Sequence, residues 1–473
     1  MSGWIRFAFL SAERCFERRL FLTDTDLLVA GAGGGLCGAL RAAQLGLRVL
    51  VAEANPHFLQ GNNTAMSTAM VPGAGSRFQR AAGVEDSPAR FLADIAAKTG
   101  STADPVVAEA LATVSAPLVE WLADVAGLPI ELPTDFGYPG HSVPRVHTIA
   151  GRHGSVLLSG LAEQAGRVEL IDLLVPARLT ALRPSPEGWT AVLTRPDGET
   201  EEISARAVLL ATNGYGADPA LVAEHLPEIA AADYHGSEYS RGDALRISTE
   251  LGAATGFLDA YQGHAGLSSA ARTLVTWTTV MHGAILVDES GHRFGNETVG
   301  YSEYAAMLAA RPGAAGWLVF DDRIHEASLA FTDYRQVVDS GAVRRATTVA
   351  ELAAATGLPA GPLARELAEA VAPDRFGRTE FGAGLTPPLR AVRVVPALFH
   401  TQGGLRVDEH ARVLRPDGSA IPGLYASGGA AAGISGHGAG GYLAGNGLLP
   451  ALGLAYLAAT HAAQVPSEGE GTE

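Results

Sequence analysis

Two tyrosines and three histidines are the residues of this 473-residue chain best suited to transfer protons. Tyr301 follows the segment Asn-Glu-Thr-Val-Gly, and His437 and Tyr442 share the glycine-rich stretch Gly-His-Gly-Ala-Gly-Gly-Tyr. His264 ends the motif Tyr-Gln-Gly-His, and His400 begins the motif His-Thr-Gln-Gly-Gly. Because tyrosine is a weak base unless its anion is stabilised, each residue also has an ordinary explanation as a packed, hydrogen-bonded side chain. Side-chain chemistry makes these five residues catalytic candidates, and the family resemblance described below selects them from the other tyrosines and histidines.

A second chemical signal is a glycine cluster between a predicted strand at 26–30 and an alanine-rich helix that ends near residue 45. Glycines let the backbone approach a pyrophosphate, and the N-terminus of a helix attracts its charge. A second predicted strand, 48–52, ends at Glu53, which is placed to accept hydrogen bonds from ribose hydroxyls. The spacing departs from the usual fingerprint, since Leu36 occupies the usual third position. The alternative is a glycine-rich turn without a ligand. The predicted pyrophosphate site comprises Gly31, Gly33, Gly34 and Gly35.

The elements that must position these residues form a βαβ unit near the start, which implies a parallel sheet. Helical spacing recurs at 105–126 and 155–166, short strands at 168–210, and a last helix at about 445–463. The middle of the chain predicts few buried strands. We therefore expect an α/β fold, a discontinuous Rossmann-like nucleotide-binding domain with an inserted α+β capping domain. The predicted division is an extension (1–23), the nucleotide-binding domain (24–258 and 399–464), the capping domain (259–398) and a disordered tail (465–473).

Composition excludes several classes of protein. The net charge of -16 argues against nucleic acid as a partner, because phosphates require a basic face. Cys15 and Cys37 are the only cysteines, so we expect no disulfide framework, no metal site and a cytoplasmic location. We find no apolar run of the ~20 residues that would span a membrane, and expect no membrane partner. Residues 1–22 fit an amphipathic extension, translation from an upstream start, or a membrane-surface helix.

Seven motifs occur in an order that resembles the fumarate reductase/succinate dehydrogenase flavoprotein family. That family includes soluble fumarate reductases, tricarballylate-type dehydrogenases and 3-ketosteroid 1-dehydrogenases. The resemblance covers about residues 24–463. The motifs are Gly61-Asn-Asn-Thr-Ala-Met-Ser-Thr, Ala211-Thr-Asn-Gly-Tyr-Gly, Gly283-Ala-Ile-Leu-Val-Asp, Asn296-Glu, His400-Thr-Gln-Gly-Gly, Gly423-Leu-Tyr-Ala-Ser-Gly and Gly445-Asn-Gly.

The resemblance implies FAD as the cofactor, with the final helix directing its N-terminus at the flavin. No histidine occupies 61–64, where membrane-bound members attach flavin covalently, so we expect non-covalent FAD. Gly429 stands where members usually carry an acidic residue for the ribityl chain. Besides the glycines and Glu53, the implied FAD-binding residues are Asn63, Thr64, Thr68, Ala211, Gly428, Gly445, Asn446 and Leu448.

Departures from the fumarate reductase pattern are informative about the substrate. Tyr301 and Tyr442 replace two arginines of that pattern, and Trp277 and Val280 replace the glutamate and arginine of its proton relay. A dianionic substrate would then be uncompensated in a closed site, so we reject fumarate and succinate. The tyrosine at position 301 is instead similar to the 3-ketosteroid 1-dehydrogenases, where a tyrosine removes a proton as hydride passes to flavin N5. The resemblance also implies substrate contacts for His264 and His400, whereas His235, His282 and His292 look solvated or structural.

Three functions follow from this interpretation. The first is dehydrogenation of a ketone or steroid-like substrate at a carbon–carbon bond beside a carbonyl or carboxylate. The second is the reverse reaction, an ene-reductase in which Tyr301 protonates the α-carbon. The third is a catalytically silent FAD-binding partner protein. No Cys-x-x-Cys-His haem motif is present, so we expect a small-molecule substrate and a separate electron donor or acceptor.

Overall fold

The computed structural model describes residues 25–134 and 137–465. The predicted extension lies outside the described residues, as does the predicted tail beyond residue 465. The strands are β1 (Thr25–Ala30), β2 (Val49–Ala52), β3 (Val71–Pro72), β4 (Ile130–Glu131), β5 (Val146–Ile149), β6 (Ile171–Leu174), β7 (Arg178–Ser185), β8 (Gly188–Thr194), β9 (Thr200–Leu210), β10 (Asp233–Tyr234), β11 (Thr255–Gly256), β12 (Tyr261–Ser268), β13 (Ile285–Asp288), β14 (Gly316–Asp321), β15 (Arg344–Ala346), β16 (Leu389–Thr401), β17 (Gly404–Leu405), β18 (Arg412–Leu414) and β19 (Ala420–Ala426).

The helices alternate with these strands in the first part of the chain and cluster in the middle. Short 3₁₀ turns occur at Glu297–Val299, Pro312–Ala314 and Gly428–Ala430. The α-helices are α1 (Gly35–Gln44), α2 (Phe58–Gly61), α3 (Arg77–Ala81), α4 (Pro88–Thr99), α5 (Pro105–Asp124), α6 (Gly154–Ala165), α7 (Pro219–His225), α8 (Asp243–Glu250), α9 (Thr278–Met281), α10 (Tyr301–Ala309), α11 (Asp322–Ser328), α12 (Thr332–Asp339), α13 (Val349–Thr356), α14 (Ala360–Glu369) and α15 (Leu448–Ala462).

The larger sheet has the strand order β18-β19-β9-β1-β2-β6, with β7 and β8 joined to β9. Strands β19, β9, β1, β2 and β6 are parallel, and Val29 of β1 pairs with Val51 on one side and Leu209 on the other. Strands β1 and β2 and the last residues of β9 are mostly buried, as expected for parallel strands covered on both faces, whereas β6 and β19 are partly exposed. The final strand thus returns from 420–426 to the sheet that 25–30 begins, which makes this unit discontinuous.

A second sheet of six strands occupies the middle of the chain, where the sequence predicted few strands. Its centre is β16, a 13-residue strand that pairs with β10, β12, β14 and β15. The prediction failed here because Arg390, Arg393 and Pro396 interrupt the apolar residues of β16, which lack the regular alternation typical of a strand. β16 crosses the predicted domain boundary at 398 and ends at Thr401, so it carries His400 from this sheet to the nucleotide-binding part.

Two helices of the core need separate mention. α15 packs on α1 so closely that a Cβ at Gly34 would lie 2.3 Å from the Ala451 carbonyl oxygen. α5 is long and apolar enough, by length and composition, to cross a membrane, which corrects the expectation that no such run exists. More than half of the apolar stretch of α5 is buried in the protein, and its neighbours include α4 and α15, as for the core helix of a globular protein.

Candidate active site

A large cleft lies where the carboxyl ends of the parallel strands meet the second sheet. Residues from most of the predicted site segments line it: the glycine cluster, the loop 62–68, the end of β16, the segment 427–429 and the start of α15. A smaller pocket adjoins it through Asn62, Ala211 and Asn213, and contains Gly31 and Glu53. The cleft and the smaller pocket together run from Glu53 to the start of the final helix.

The glycine cluster forms the turn from β1 into α1. Gly31 has a φ of +103° and lies against the backbone of Ala211, so a side chain there would be both strained and blocked. Gly33 and Gly34 line the cleft, whereas Gly35 does not. A Cβ at Gly35 would lie 2.6 Å from Val29 Cγ1, so this glycine permits close helix–strand packing. Gly35 thus performs the third-glycine role, although the loop is one residue short.

Glu53 closes the nucleotide end of the cleft. Its two carboxylate oxygens accept hydrogen bonds from the backbone N–H groups of Ala32 and Asn55, each at 2.7 Å. Burial raises the pKa of the Glu53 carboxyl, and these two donors oppose the rise. The side chain is held rigid beside Gly31 and retains lone pairs for ribose hydroxyls.

Three buried polar atoms around the cleft have no hydrogen-bond partner among the described residues: Thr212 Oγ1, Ser427 Oγ and Asn446 Oδ1. Unpartnered buried polar atoms are rare in folded proteins and cost stability. Thr212 lines the smaller pocket, and Ser427 and Asn446 line the cleft, along the path that a flavin dinucleotide would follow. The residues present therefore fit FAD, whose polar atoms would pair with them.

The loop 62–68 supplies the predicted contacts Asn63, Thr64 and Thr68, which all line the cleft. The Asn63 side chain donates to the Phe399 carbonyl at 3.1 Å and accepts from the Ser237 N–H at 2.6 Å, which ties the loop to β16. From the other side, a Cβ at Gly154 would lie 1.8 Å from the Thr64 carbonyl oxygen. The loop is fixed between two parts of the fold.

The final helix begins at the cleft, as predicted. Gly445, Asn446 and Leu448 line the cleft, together with Ala211 and Gly428 of the remaining predicted set. No side chain caps α15, so its N-terminal dipole is available to a negatively charged ring edge. Gly429 lies where a Cβ would be 2.5 Å from Asn213 Oδ1. The acidic residue usual in the family would not fit there unless this loop moved.

Tyr301 and Tyr442 meet at the centre of the cleft. Their rings contact edge to face with centroids 5.7 Å apart, and the hydroxyls are hydrogen-bonded. Burial and the neighbouring Tyr442, Tyr138 and Glu303 raise the pKa of Tyr301 well above 10. Burial also raises the pKa of Tyr442, while the Gly447 N–H and the Tyr301 hydroxyl oppose that rise. Two coupled phenols share the charge if one proton is lost, so the pair titrates as a unit.

His264 and His400 flank the tyrosine pair. The His264 ring stacks on Tyr301 at 4.8 Å, and its Nδ1 accepts the Gly266 N–H at 2.9 Å, which leaves Nε2 as the donor of a neutral ring. The His400 ring lies 5.9 Å from Tyr442 and contacts Gln402. Burial lowers the pKa of His264 to about 3 and that of His400 to about 4. Both rings are therefore neutral at physiological pH.

His437 lies outside the cleft. Its Nδ1 contacts the Asp259 carboxylate at 2.8 Å, and more than half of its side chain is exposed. The glycine-rich stretch turns between His437 and Tyr442, so only the tyrosine faces the other predicted residues. His437 therefore does not belong to the group of residues around the tyrosine pair.

Several cleft residues were missed from the sequence. His235, interpreted as solvated or structural, lines the cleft and stacks near Phe399, with ring centroids 5.2 Å apart. Trp277 lies edge to face with His264, and its Nε1 donates to the Glu297 carbonyl. Asp333 also lines the cleft, and burial raises the pKa of its carboxyl. His235 and Asp333 stand in segments without a recognisable motif, and Trp277 was noted only as a departure from the family's proton relay. Tertiary structure brings all three residues to the cleft.

The charge of the cleft wall is unusual. Among the residues that line it in the described part of the chain, none is lysine or arginine, and Asp333 alone is a carboxylate. A carboxylate substrate would therefore find no cation and one like charge. The described residues also hold no cluster of histidine, cysteine and carboxylate groups that could bind a metal ion.

A discontinuous parallel sheet, a glycine turn at a helix N-terminus and unpartnered polar atoms along the cleft are the features of a dinucleotide-binding protein. The chain belongs to the FAD binding domain family, which it matches over residues 26–448, among FAD-dependent oxidoreductases of the fumarate reductase and ketosteroid dehydrogenase type that act on carbon–carbon bonds. The resemblance, the fold class and FAD as cofactor, all predicted from the sequence, are confirmed.

Similar proteins come from both branches of that group. NADH:fumarate oxidoreductase of Klebsiella pneumoniae is 28% identical over 423 residues, which are 87% of this chain but only 45% of that protein. A flavocytochrome c3 fumarate reductase structure has a TM-score of 0.76 and 25% identity, covering 98% of this chain and 81% of the other. The 3-ketosteroid-delta4-(5alpha)-dehydrogenase of Rhodococcus jostii RHA1, in complex with 4-androstene-3,17-dione, has a TM-score of 0.71 and 25% identity, covering 94% and 98%.

Proposed function

We propose that this protein dehydrogenates a neutral ketone at the carbon–carbon bond beside its carbonyl, as a steroid-like substrate would allow. The observation that carries the proposal is the Tyr301–Tyr442 pair on a cleft wall without lysine or arginine. Carboxylates require compensation by a cation when they leave water, whereas a ketone requires only hydrogen-bond donors. The aromatic rings of His264, Phe399 and Trp277 add a flat, apolar surface beside that pair.

The side chains divide the chemical work. FAD, when bound, supplies the hydride acceptor. Once the Tyr301–Tyr442 pair has lost one proton, its two oxygens share the negative charge. The pair then takes the proton that leaves the carbon next to the carbonyl and becomes neutral again. Neutral His264, with its proton on Nε2, donates a hydrogen bond without adding charge to the cleft. The Gly447 N–H at the start of α15 supports the Tyr442 oxygen.

The reverse reaction is the second candidate, and one observation favours it. The pKa of both phenols lies above the ordinary value, so both carry their protons at neutral pH and are ready to act as acids. In that direction Tyr301 protonates the α-carbon of an enone. One site serves either direction, and the supply of electrons decides between them.

The partners follow from the chemistry. We propose a small-molecule substrate and a separate electron donor or acceptor, since the sequence shows no Cys-x-x-Cys-His haem motif. The chain spans 45% of the length of the NADH:fumarate oxidoreductase that it matches. A cytoplasmic location without a membrane partner remains our proposal, supported by the buried, unpaired Cys37.

The test is anaerobic mixing of the FAD-loaded protein with paired substrates. Saturated ketones, including 3-oxosteroids, should bleach the flavin, whereas succinate and other dicarboxylates of similar size should not. Pre-reduced protein mixed with enones measures the reverse direction in the same cuvette. Bleaching by dicarboxylates but not by ketones would refute the charge argument, and no flavin reaction with any substrate would favour the silent FAD-binding protein.

A further inference from the structure

Lys98 is the only lysine in the chain, which has 34 basic residues in all. It lies in the last turn of α4, in the nucleotide-binding part. Its ammonium donates to the Val299 carbonyl at 2.8 Å and contacts the Glu303 carboxylate. Val299 and Glu303 stand two residues before and two residues after Tyr301. One cation from the nucleotide-binding part therefore contacts the chain both before and after Tyr301, on the side of the cleft that the second sheet forms.

The surroundings of this contact are tightly packed. The Lys98 side chain is 11% exposed and that of Glu303 is 21% exposed. A Cβ at Gly140 would lie 3.3 Å from Lys98 Cδ and 3.2 Å from Leu443 Cδ2, so the lysine stem passes beside the residue that follows Tyr442. Lysine places a compact ammonium on an unbranched stem, whereas arginine would bring a longer side chain with a planar fork to the same partners.

Charges around Tyr301 make the position of Lys98 important. The groups that face Tyr301 are Tyr442, Tyr138 and His264 from neighbouring segments and Glu303 from its own helix. Glu303 holds one buried oxygen, Oε2, without a hydrogen-bond partner in the described structure, and its carboxylate opposes ionisation of Tyr301. Burial raises the pKa of the Glu303 carboxyl, and the adjacent Lys98 ammonium opposes that rise and so favours the carboxylate form.

We infer that Lys98 is a positioning residue for the reaction: it fixes the turn that presents Tyr301 to Tyr442 and cancels the charge of Glu303 beside them. The inference rests on the proposed function, since it concerns the proton transfer assigned to the tyrosine pair. An ordinary inter-element ion pair would stabilise the fold without altering the pH dependence of the reaction.

The experiment compares Lys98→Met, Glu303→Gln, the double variant and Lys98→Arg, each loaded with FAD. Arg183→Met is the matched control, because Arg183 forms an exposed ion pair with Glu202 on the β7–β9 surface. The rate of flavin reduction by a saturating ketone is measured against pH. Flavin reduction in Lys98→Met should be about tenfold slower than in the parent throughout the pH range in which the rate rises with pH. The reason is that an uncompensated Glu303 carboxylate raises the pKa of the tyrosine pair by about one unit.

The remaining variants separate charge from structure. Glu303→Gln should be as fast as the parent or faster, the double variant should recover most of the loss in Lys98→Met, and Lys98→Arg should not recover it. A Lys98→Met rate equal to that of Arg183→Met, or a double variant as slow as Lys98→Met, would overturn the inference.

A second measurement does not depend on turnover. Amide hydrogen exchange at 299–303 should be faster in Lys98→Met than in the parent, and unchanged in Arg183→Met. Unchanged exchange in Lys98→Met overturns the inference even if flavin reduction is slower. Failure of the proposed function is distinguishable, because the parent flavin would then stay oxidised with every ketone.

Discussion

Replacing Tyr301 by phenylalanine removes one hydroxyl from the centre of the cleft and leaves its walls intact. The Tyr442 oxygen keeps the Gly447 N–H as a partner, so the variant loses one hydrogen bond and creates no orphaned group. A net hydrogen bond contributes about 0.5–1.5 kcal/mol to stability. General acid–base catalysis contributes about 10²–10⁴-fold to rate, or about 3–5 kcal/mol in the activation free energy. Activity should therefore fall far more than stability.

The assay has two parts and an internal control. Flavin content and the midpoint of denaturant unfolding should change little in Tyr301→Phe, while single-turnover flavin reduction by a ketone should slow at least about 100-fold. Tyr304→Phe, on the same helix, is the control: its buried hydroxyl donates to the Gly295 carbonyl at 3.4 Å and does not line the cleft. Full turnover in Tyr301→Phe, or equal losses in both variants, would refute the assigned role.

Three further predictions concern the cofactor, the histidines and the cleft charge. Gly34→Ala should yield protein with little bound FAD, because the added Cβ would lie 2.3 Å from the Ala451 carbonyl oxygen. Visible absorbance after purification measures the bound FAD. Gly361→Ala is the control, because a Cβ there meets no atom within 4 Å. The unfolding free energy should fall as the pH is lowered from neutral to about 5, because histidines with a lowered pKa are neutral when folded and bind protons when unfolded. These histidines are His141, His147, His264 and His400, and denaturant titrations that show no fall would contradict the prediction. Asp333→Asn should lower the KM for ketones that bear a carboxylate and leave the KM for neutral ketones unchanged; equal effects on both would exclude a charge role.

The sequence predicted the nucleotide end of the molecule well because local rules determine it. A buried strand, a glycine turn and a helix form one contiguous unit, and Glu53 follows at a spacing set by the length of that unit. The early ambiguity over the third glycine is explained by Gly35, whose lack of a side chain lets α1 approach Val29.

The catalytic end was harder to predict because distant segments form it. Tyr301 and Tyr442 were correctly expected to share a cleft, which family motifs indicated. His437 stands only five residues before Tyr442, yet the turns between them direct it to Asp259. Asp333 reaches the cleft only because α12 packs near the loop 151–153, where Thr332 donates to the Gly151 carbonyl. No local pattern encodes such contacts.

The packing of α15 on α1 has a consequence for biosynthesis. The first half of the FAD site is translated early, but the cleft lacks one wall until residues 445–462 have left the ribosome and folded back over more than 400 positions. The Cys37 thiol, which contacts the Leu452 carbonyl at 3.5 Å, marks that late contact. The complete cleft therefore forms only after the final helix has been synthesised.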